Sequence, residues 1–73
     1  MNKVELINSL KKIFEKNVLK ESDNLEKIGL DSLKILEIMA LNDEHFNKLK
    51  ISPDKIRGCK ILKDLLRLYK LKK

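Results

Sequence analysis

The sequence predicts an all-α protein, a small bundle of three main helices and one short helix with a long loop between the first two. Apolar residues recur at spacings of three and four, which places them on one face of a helix. No segment alternates apolar and polar residues as a half-buried strand does. The 73 residues are predicted to form a single domain, 1–73. A domain of this size has little room for both a scaffold and a deep substrate pocket, which argues against an autonomous enzyme.

The first helix is predicted over residues 3–16, with a core-facing stripe that two further residues widen. The stripe consists of Val4, Ile7, Leu10 and Phe14, with Leu6 and Ile13 beside it. The segment 17–30 has a composition typical of a loop. Leu25 and Ile28 are predicted to pin this loop to the core. Gly29 is predicted to close it in a left-handed conformation.

The second helix is predicted over residues 32–46, with Asp31 or Ser32 as its N-cap. Its apolar residues cover more than half of the helical circumference: Ile35, Leu36, Ile38, Met39 and Phe46. A narrow stripe begins beside the serine and combines two apolar residues with two acidic ones: Leu33, Glu37, Ala40 and Glu44.

A short third helix is predicted after Ser52, a suitable N-cap, with Pro53 as its first residue and Gly58 at its end. Ile51 and Ile56 are its expected core contacts. The last helix is predicted over residues 60–71, and its inward side chains are Ile61, Leu62, Leu65, Leu68 and Tyr69. Its first residue is a lysine, a poor N-cap, so this end is expected to fray.

Charge is distributed unevenly along the chain, whose net charge is +6. Residues 48–73 carry ten basic residues against two acids, whereas residues 31–47 carry one lysine against four acids. The segment that starts at the Asp-Ser pair is therefore the only acidic one. The basic residues of the last helix form a stripe of Lys60, Lys63, Arg67 and Lys70.

Several kinds of site are excluded by residue counts. Cys59 and His45 are the only cysteine and the only histidine, so neither a disulfide nor a cysteine metal set is expected. No apolar run approaches membrane-spanning length, and no membrane insertion is expected. Glu5 and Asn8 interrupt the N-terminal stretch, which argues against a signal peptide. These observations predict a reducing, cytoplasmic setting.

Ser32 has three interpretations. As a nucleophile it would need a general base, but His45 is thirteen residues along the same predicted helix, roughly 20 Å away. As a helix cap it would contribute about 1 kcal/mol. As a modification site it would hold a phosphate at a helix N-terminus, where exposed N–H groups and the helix dipole favour an anion.

The stretch "GLDSLKILEIMAL", followed by Phe46 and "ISPDKI", resembles the acyl carrier protein family. The resemblance covers nearly the whole chain, from the first helix and long loop to the final amphipathic helix. The matches to the family's attachment motif are Gly29, Asp31, Ser32 and Leu33. Glu37 matches a recurrent glutamate, and Phe46 and Ile51 match apolar positions around the end of the second helix and the start of the third.

The resemblance implies that Ser32 is a substrate and not a catalyst. A phosphopantetheinyl transferase, with Mg²⁺, would move 4′-phosphopantetheine from coenzyme A to Ser32. The arm's thiol would then carry acyl groups between acyl-loading, acyl-modifying and acyl-transfer enzymes, so Cys59 would not be needed. The carrier would be a monomer. Cargo held between helices against Ile35, Leu36 and Met39 is a further hypothesis, with ordinary packing as its alternative.

The resemblance also implies a docking surface on the second helix. Asp31 would orient the serine end and meet basic groups of the transferase, and the stripe Leu33, Glu37, Ala40 and Glu44 would contact partners. Steering of a basic partner by carboxylates has a physical basis. The alternative for Glu37 and Glu44 is a solvated helix face.

The chain departs from the family in its charge, since primary fatty-acid carriers are usually acidic. Fatty-acid synthesis and a specialised acyl or aminoacyl pathway are therefore both left open. "HFNKLKIS" also looks longer than usual between the second and third helices.

The competing function is a small nucleic-acid-binding or protein-interaction module that uses the basic residues Lys60, Lys63, Arg67, Lys70, Lys72 and Lys73. Base reading favours arginine, whereas this chain has 15 lysines and two arginines. Aromatic residues make up 4% of the chain, so bases have few side chains to stack on. No nucleic acid is therefore expected. Docking of the basic face on an acidic partner enzyme is a third possibility.

Overall fold

Four helices follow one another in the computed structural model, which describes residues 2–46 and 51–69. They are α1 (Lys3–Phe14), α2 (Ser32–His45), α3 (Pro53–Arg57) and α4 (Leu62–Leu68). The all-α class and the long loop between α1 and α2 are confirmed, and no strand occurs in the described residues. The middle of "HFNKLKIS" and the predicted last residues of the final helix lie outside the described part. No helix in that part is long and apolar enough to cross a membrane.

The first helix is capped at both ends, by side chains at its start and by backbone hydrogen bonds at its end. Asn2 accepts a hydrogen bond from the Glu5 N–H at 2.9 Å, and the Glu5 carboxylate accepts one from the Asn2 N–H at 3.3 Å. At the other end, Glu15 adopts a left-handed conformation with φ 56°. The N–H of the following residue closes the last turn at 2.9 Å. The helix therefore ends at Phe14 and not at the predicted residue 16.

The core is a single cluster of buried side chains from all four helices and the loop. Seven of them are fully buried: Leu6, Leu10, Leu25, Ile38, Ile56, Leu62 and Leu65. The predicted burial of Val4 and Leu36 is wrong, since they are 67% and 66% exposed. At 3.6 residues per turn, Val4 lies about 120° from Leu10, and Leu36 about 160° from Ile38. Both side chains therefore point away from the core.

The loop between α1 and α2 is tied to the connection between α3 and α4. The Leu25 N–H donates to the Lys60 carbonyl at 2.9 Å, and the Leu62 N–H donates to the Asp23 carbonyl at the same distance. Asn24 and Ile61 form an isolated antiparallel bridge. Leu25 is fully buried and Ile28 packs against the core, as predicted.

The last helix starts at Leu62, two residues later than predicted, and the two residues before it form hydrogen bonds with Asp64. The Asp64 carboxylate accepts hydrogen bonds from the N–H groups of Lys60 and Ile61, at 3.2 and 3.3 Å. The bond from Ile61 is one half of a capping box, in which an acid in the first turn accepts from the N–H of the N-cap residue, whereas no side chain at the N-cap itself forms a capping bond. The prediction rested on the cap position alone and did not include this acid.

The short helix agrees with its prediction. The Ser52 hydroxyl accepts from the Lys55 N–H at 3.3 Å, Pro53 begins the helix and Gly58 is its C-cap. Ile51 and Ile56 are buried. Of the side chains predicted to face inward from the last helix, Leu62, Leu65 and Tyr69 are buried, whereas Ile61 and Leu68 are half-buried.

Candidate functional site

Ser32 is the first residue of α2, and it is exposed. The N-cap is Asp31, whose carboxylate accepts a hydrogen bond from the Lys34 N–H at 2.9 Å. Of the two candidates for this cap, Asp31 and Ser32, the aspartate fills the position, so the serine hydroxyl is not the cap. Ser32 is instead exposed at the first position of a helix of fourteen residues, where N–H groups have no intrahelical partner.

A tight turn immediately before α2 places Ser32. Gly29 has φ 106°, a backbone conformation that other residues rarely adopt. The Leu30 N–H donates to the Leu25 carbonyl at 2.9 Å, which fixes the turn to a fully buried residue of the loop. The predicted role of Gly29 in closing the loop is confirmed.

A cleft of about 600 Å³ opens beside Ser32. Three segments line it: the loop, the start of α2, and the connection between α3 and α4. The lining residues are Asn24, Glu26, Leu30, Asp31, Ser32, Ile35, Arg57, Cys59 and Lys60. Its volume falls within the range of roughly 300–1,000 Å³ that small-molecule sites occupy. The cleft is not apparent from the sequence, since it is formed by segments about thirty residues apart.

The stripe predicted for partner docking is accessible. Leu33 is 61% exposed, and Glu37, Ala40 and Glu44 are exposed as well. Leu36 joins the same surface, three residues after Leu33 and four before Ala40. We call these five residues the α2 face. The width of the apolar arc on this helix indicates that part of it is exposed, because a domain this small has too few neighbouring helices to cover the whole arc.

The two glutamates of the α2 face have neighbours on their own helix. The Glu37 carboxylate lies 3.8 Å from the Lys34 ammonium, and the Glu44 carboxylate lies 3.8 Å from Nε2 of His45. The side chains of Glu37 and Glu44 are 45% and 74% exposed, so both carboxylates are accessible to a partner.

A serine–histidine pair is not formed. His45 is the last residue of α2, at the opposite end of the helix from Ser32. In the part of the chain that the structure describes, no three His, Cys, Asp or Glu side chains gather to hold a metal ion. Ser32 therefore has no histidine within reach.

Cys59 lies in the cleft with Ser32, a juxtaposition that the sequence analysis missed. Its Sγ donates to the Lys55 carbonyl at 3.3 Å. Burial, and secondarily the Asp64 carboxylate, raise the pKa of Cys59. The side chain therefore remains a thiol at neutral pH and is a poor nucleophile.

The residues expected to hold cargo do not share one interior surface. Ile35 is buried, Met39 is half-buried and Leu36 is exposed. The hypothesis of a separable apolar core built on these three residues is therefore wrong for Leu36, which belongs to the α2 face.

The basic stripe of the last helix is partly within the described residues. Lys60, Lys63 and Arg67 are exposed. The remaining residues of the competing basic-surface prediction, Lys70, Lys72 and Lys73, lie outside the described part.

No family model, curated protein or solved structure matches the chain.

Proposed function

We propose that this chain is an acyl carrier protein whose Ser32 accepts 4′-phosphopantetheine from coenzyme A. The observation that carries the proposal is the placement of Ser32: an exposed hydroxyl at the first position of α2, released from capping by Asp31, at the edge of a cleft. The "GLDSL" sequence around it supports the same conclusion, since it resembles the family's attachment motif.

The site fits a bulky phosphate-linked group. The hydroxyl is exposed, the N–H groups of the first turn favour an anion, and the cleft leaves space beside it. In the modification, the Ser32 oxygen attacks the β-phosphorus of coenzyme A and loses its proton. The phosphoanhydride bond breaks, 3′,5′-ADP leaves, and a phosphodiester remains on the serine. The base and the Mg²⁺ belong to the transferase, which agrees with a serine that has no histidine within reach.

The loaded arm supplies a terminal thiol on which acyl groups are carried as thioesters. The chain's own contribution is presentation: α2 holds the serine at one end, and the α2 face runs away from it. In this proposal Asp31 and the α2 face contact the transferase and the acyl-loading, acyl-modifying and acyl-transfer enzymes. Their carboxylates steer basic partners, and the exposed leucines supply apolar contact.

The proposed setting is a cytoplasmic monomer that serves fatty-acid synthesis or a specialised acyl or aminoacyl pathway. The chain's positive charge favours the specialised pathway, because partners that read an acidic carrier would meet like charge on the last third of this one.

The test is an intact-mass measurement after incubation with coenzyme A, Mg²⁺ and a broad-specificity phosphopantetheinyl transferase. We expect a gain of one phosphopantetheinyl group, its loss in Ser32→Ala, and its retention in Ser22→Ala, which removes another exposed serine. Absence of a mass gain with several transferases, in protein shown to be folded, would contradict the proposal.

The competing nucleic-acid function rests on the exposure of Lys60, Lys63 and Arg67. Retention on a generic duplex that weakens with added salt would support it. Absence of binding at low salt would exclude it.

A further inference from the structure

Two basic residues, Arg57 and Lys60, line the cleft beside Ser32. They belong to the end of α3 and to the connection that leads into α4. They are also part of the strongly basic last third of the chain, whose charge the carrier proposal leaves unexplained.

The unmodified cleft is balanced in charge. Its lining includes the carboxylates of Glu26 and Asp31 and the cations of Arg57 and Lys60. A phosphodiester on Ser32 adds one negative charge directly after the Asp31 carboxylate. The phosphodiester and the neighbouring carboxylate repel each other because both are negative. Arg57 and Lys60 are the only cations in the described lining that can offset this repulsion.

Both cations are available for this contact. The Arg57 guanidinium lies 3.6 Å from the Asp54 carboxylate, but this pair is exposed and of the kind that contributes little. The backbone of Lys60 is held in place, since its carbonyl accepts from the Leu25 N–H at 2.9 Å and its N–H donates to Asp64. The Lys60 side chain therefore starts from a fixed point at the cleft.

We propose that Arg57 and Lys60 form an anion-binding wall of the cleft, which contacts the phosphodiester on Ser32 and keeps the adjoining part of the arm inside. This inference rests on the proposed modification of Ser32. Arginine binds phosphate oxygens in a bidentate fashion, and lysine acts as a point charge. Leu30 and Ile35 line the same cleft and offer apolar contact to the methyl groups of the arm.

The experiment compares the unmodified and the loaded chain by NMR, with complete loading verified by intact mass. The chain has two arginines, Arg57 in the cleft and Arg67 on α4, outside the cleft lining. We expect loading to shift the side-chain Nε–Hε signal of Arg57 and to leave that of Arg67 unchanged. The second arginine is thus an internal control that needs no substitution.

A matched pair of double variants tests the contact directly. Arg57→Gln/Lys60→Gln and Lys63→Gln/Arg67→Gln each remove two exposed positive charges. In the loaded chain we expect nuclear Overhauser contacts between the arm's methyl groups and Leu30 or Ile35. They should be lost in the cleft variant and retained in the α4 variant.

The outcomes separate this inference from the carrier proposal. Loading with no shift at Arg57, or with arm contacts that persist in Arg57→Gln/Lys60→Gln, would overturn the inference and leave the carrier proposal standing. Failure to load the folded wild-type chain with any transferase would overturn both. Because the arginine signal is read in the wild-type chain, an unfolded variant does not affect that part of the test.

Discussion

The buried hydroxyl of Tyr69 donates a hydrogen bond of 2.6 Å to Oδ1 of Asn42. The pair joins the end of α4 to the last turns of α2, and the rings of Phe46 and Tyr69 pack in a T-shaped arrangement with 4.9 Å between ring centroids. Asn42 is buried as well, and its Nδ2 has no hydrogen-bond partner among the described residues. The two helices are thus held together by a polar contact within an apolar cluster.

Removing both partners of this pair should cost less unfolding free energy than the sum of the two single removals. Tyr69→Phe leaves Asn42 without its donor, and Asn42→Leu leaves the phenol without its acceptor, at about 1–3 kcal/mol each. In Asn42→Leu/Tyr69→Phe, no polar group of the pair remains to be satisfied. We therefore expect the double variant to lose less unfolding free energy than the sum of the single losses, as measured by urea denaturation. Additive losses would show that the two side chains are not coupled.

The stability of the fold should fall at alkaline pH because of Tyr69. Burial raises its pKa from 10.0 to about 12. Between these values the unfolded chain loses the phenolic proton and the folded chain keeps it, so the unfolded state is favoured as pH rises. The protonated phenol of Tyr69 contributes fully to the free energy of unfolding below pH 10. About 2–3 kcal/mol of that contribution is lost by pH 12.

The alkaline loss is measured by urea denaturation across this range of pH. Tyr69→Phe serves as the control, since it removes the ionisable group and should flatten the curve between pH 10 and 12. An equally steep loss in the variant would assign the effect to other groups, such as the many lysines.

The two glycines should respond in opposite ways to alanine. Gly29 has φ 106°, and a Cβ there would meet nothing within 4 Å, so Gly29→Ala is strained by its backbone alone and should cost about 1–3 kcal/mol. Gly58 has a right-handed helical conformation with φ −72°, where a Cβ makes only ordinary contacts of 3.5 and 3.6 Å. Gly58→Ala should stabilise the fold by about 0.4–1 kcal/mol. Thermal unfolding distinguishes the two, and equal effects would contradict the backbone assignment.

Leu36 and Ile38 differ in burial despite their proximity in sequence. Ile38→Ala removes a fully buried side chain and should cost about 2–5 kcal/mol. Leu36→Ala removes a side chain that is 66% exposed and should change stability by less than about 0.5 kcal/mol. If the α2 face docks partners, Leu36→Ala should slow modification of Ser32 at unchanged stability. A large loss of stability in Leu36→Ala would show that this leucine packs in the core and would contradict its assignment to the α2 face.

Asp31 caps α2 and also carries a negative charge beside Ser32, and two substitutions separate these two roles. Asp31→Asn keeps an acceptor for the Lys34 N–H, whereas Asp31→Ala removes it and should cost about 1 kcal/mol. Both variants lose the charge. If the carboxylate meets basic groups of the transferase, both should slow the loading of Ser32, and only Asp31→Ala should also be less stable. Normal loading of Asp31→Asn would show that Asp31 acts only as a helix cap.

Local signals in the sequence were sufficient for much of this structure. Helical periodicity predicted the helices, and Ser52 with Pro53 predicted the start of the short one, because caps and turns depend on residues close in sequence. The position of Ser32 at the head of α2, after the turn at Gly29, was predictable for the same reason. The exposure of the α2 stripe followed from its place on the helix.

Tertiary structure decided what depends on residues far apart in sequence. Val4 and Leu36 lie at the margins of wide apolar arcs, and the positions of the neighbouring helices decide which part of each arc is covered. Cys59 and Lys60 reach the cleft of Ser32 because backbone hydrogen bonds tie the loop to the start of α4. The sequence by itself therefore determined the helices and the place of the serine. Packing between distant segments decided which apolar residues are buried and which charges surround that serine.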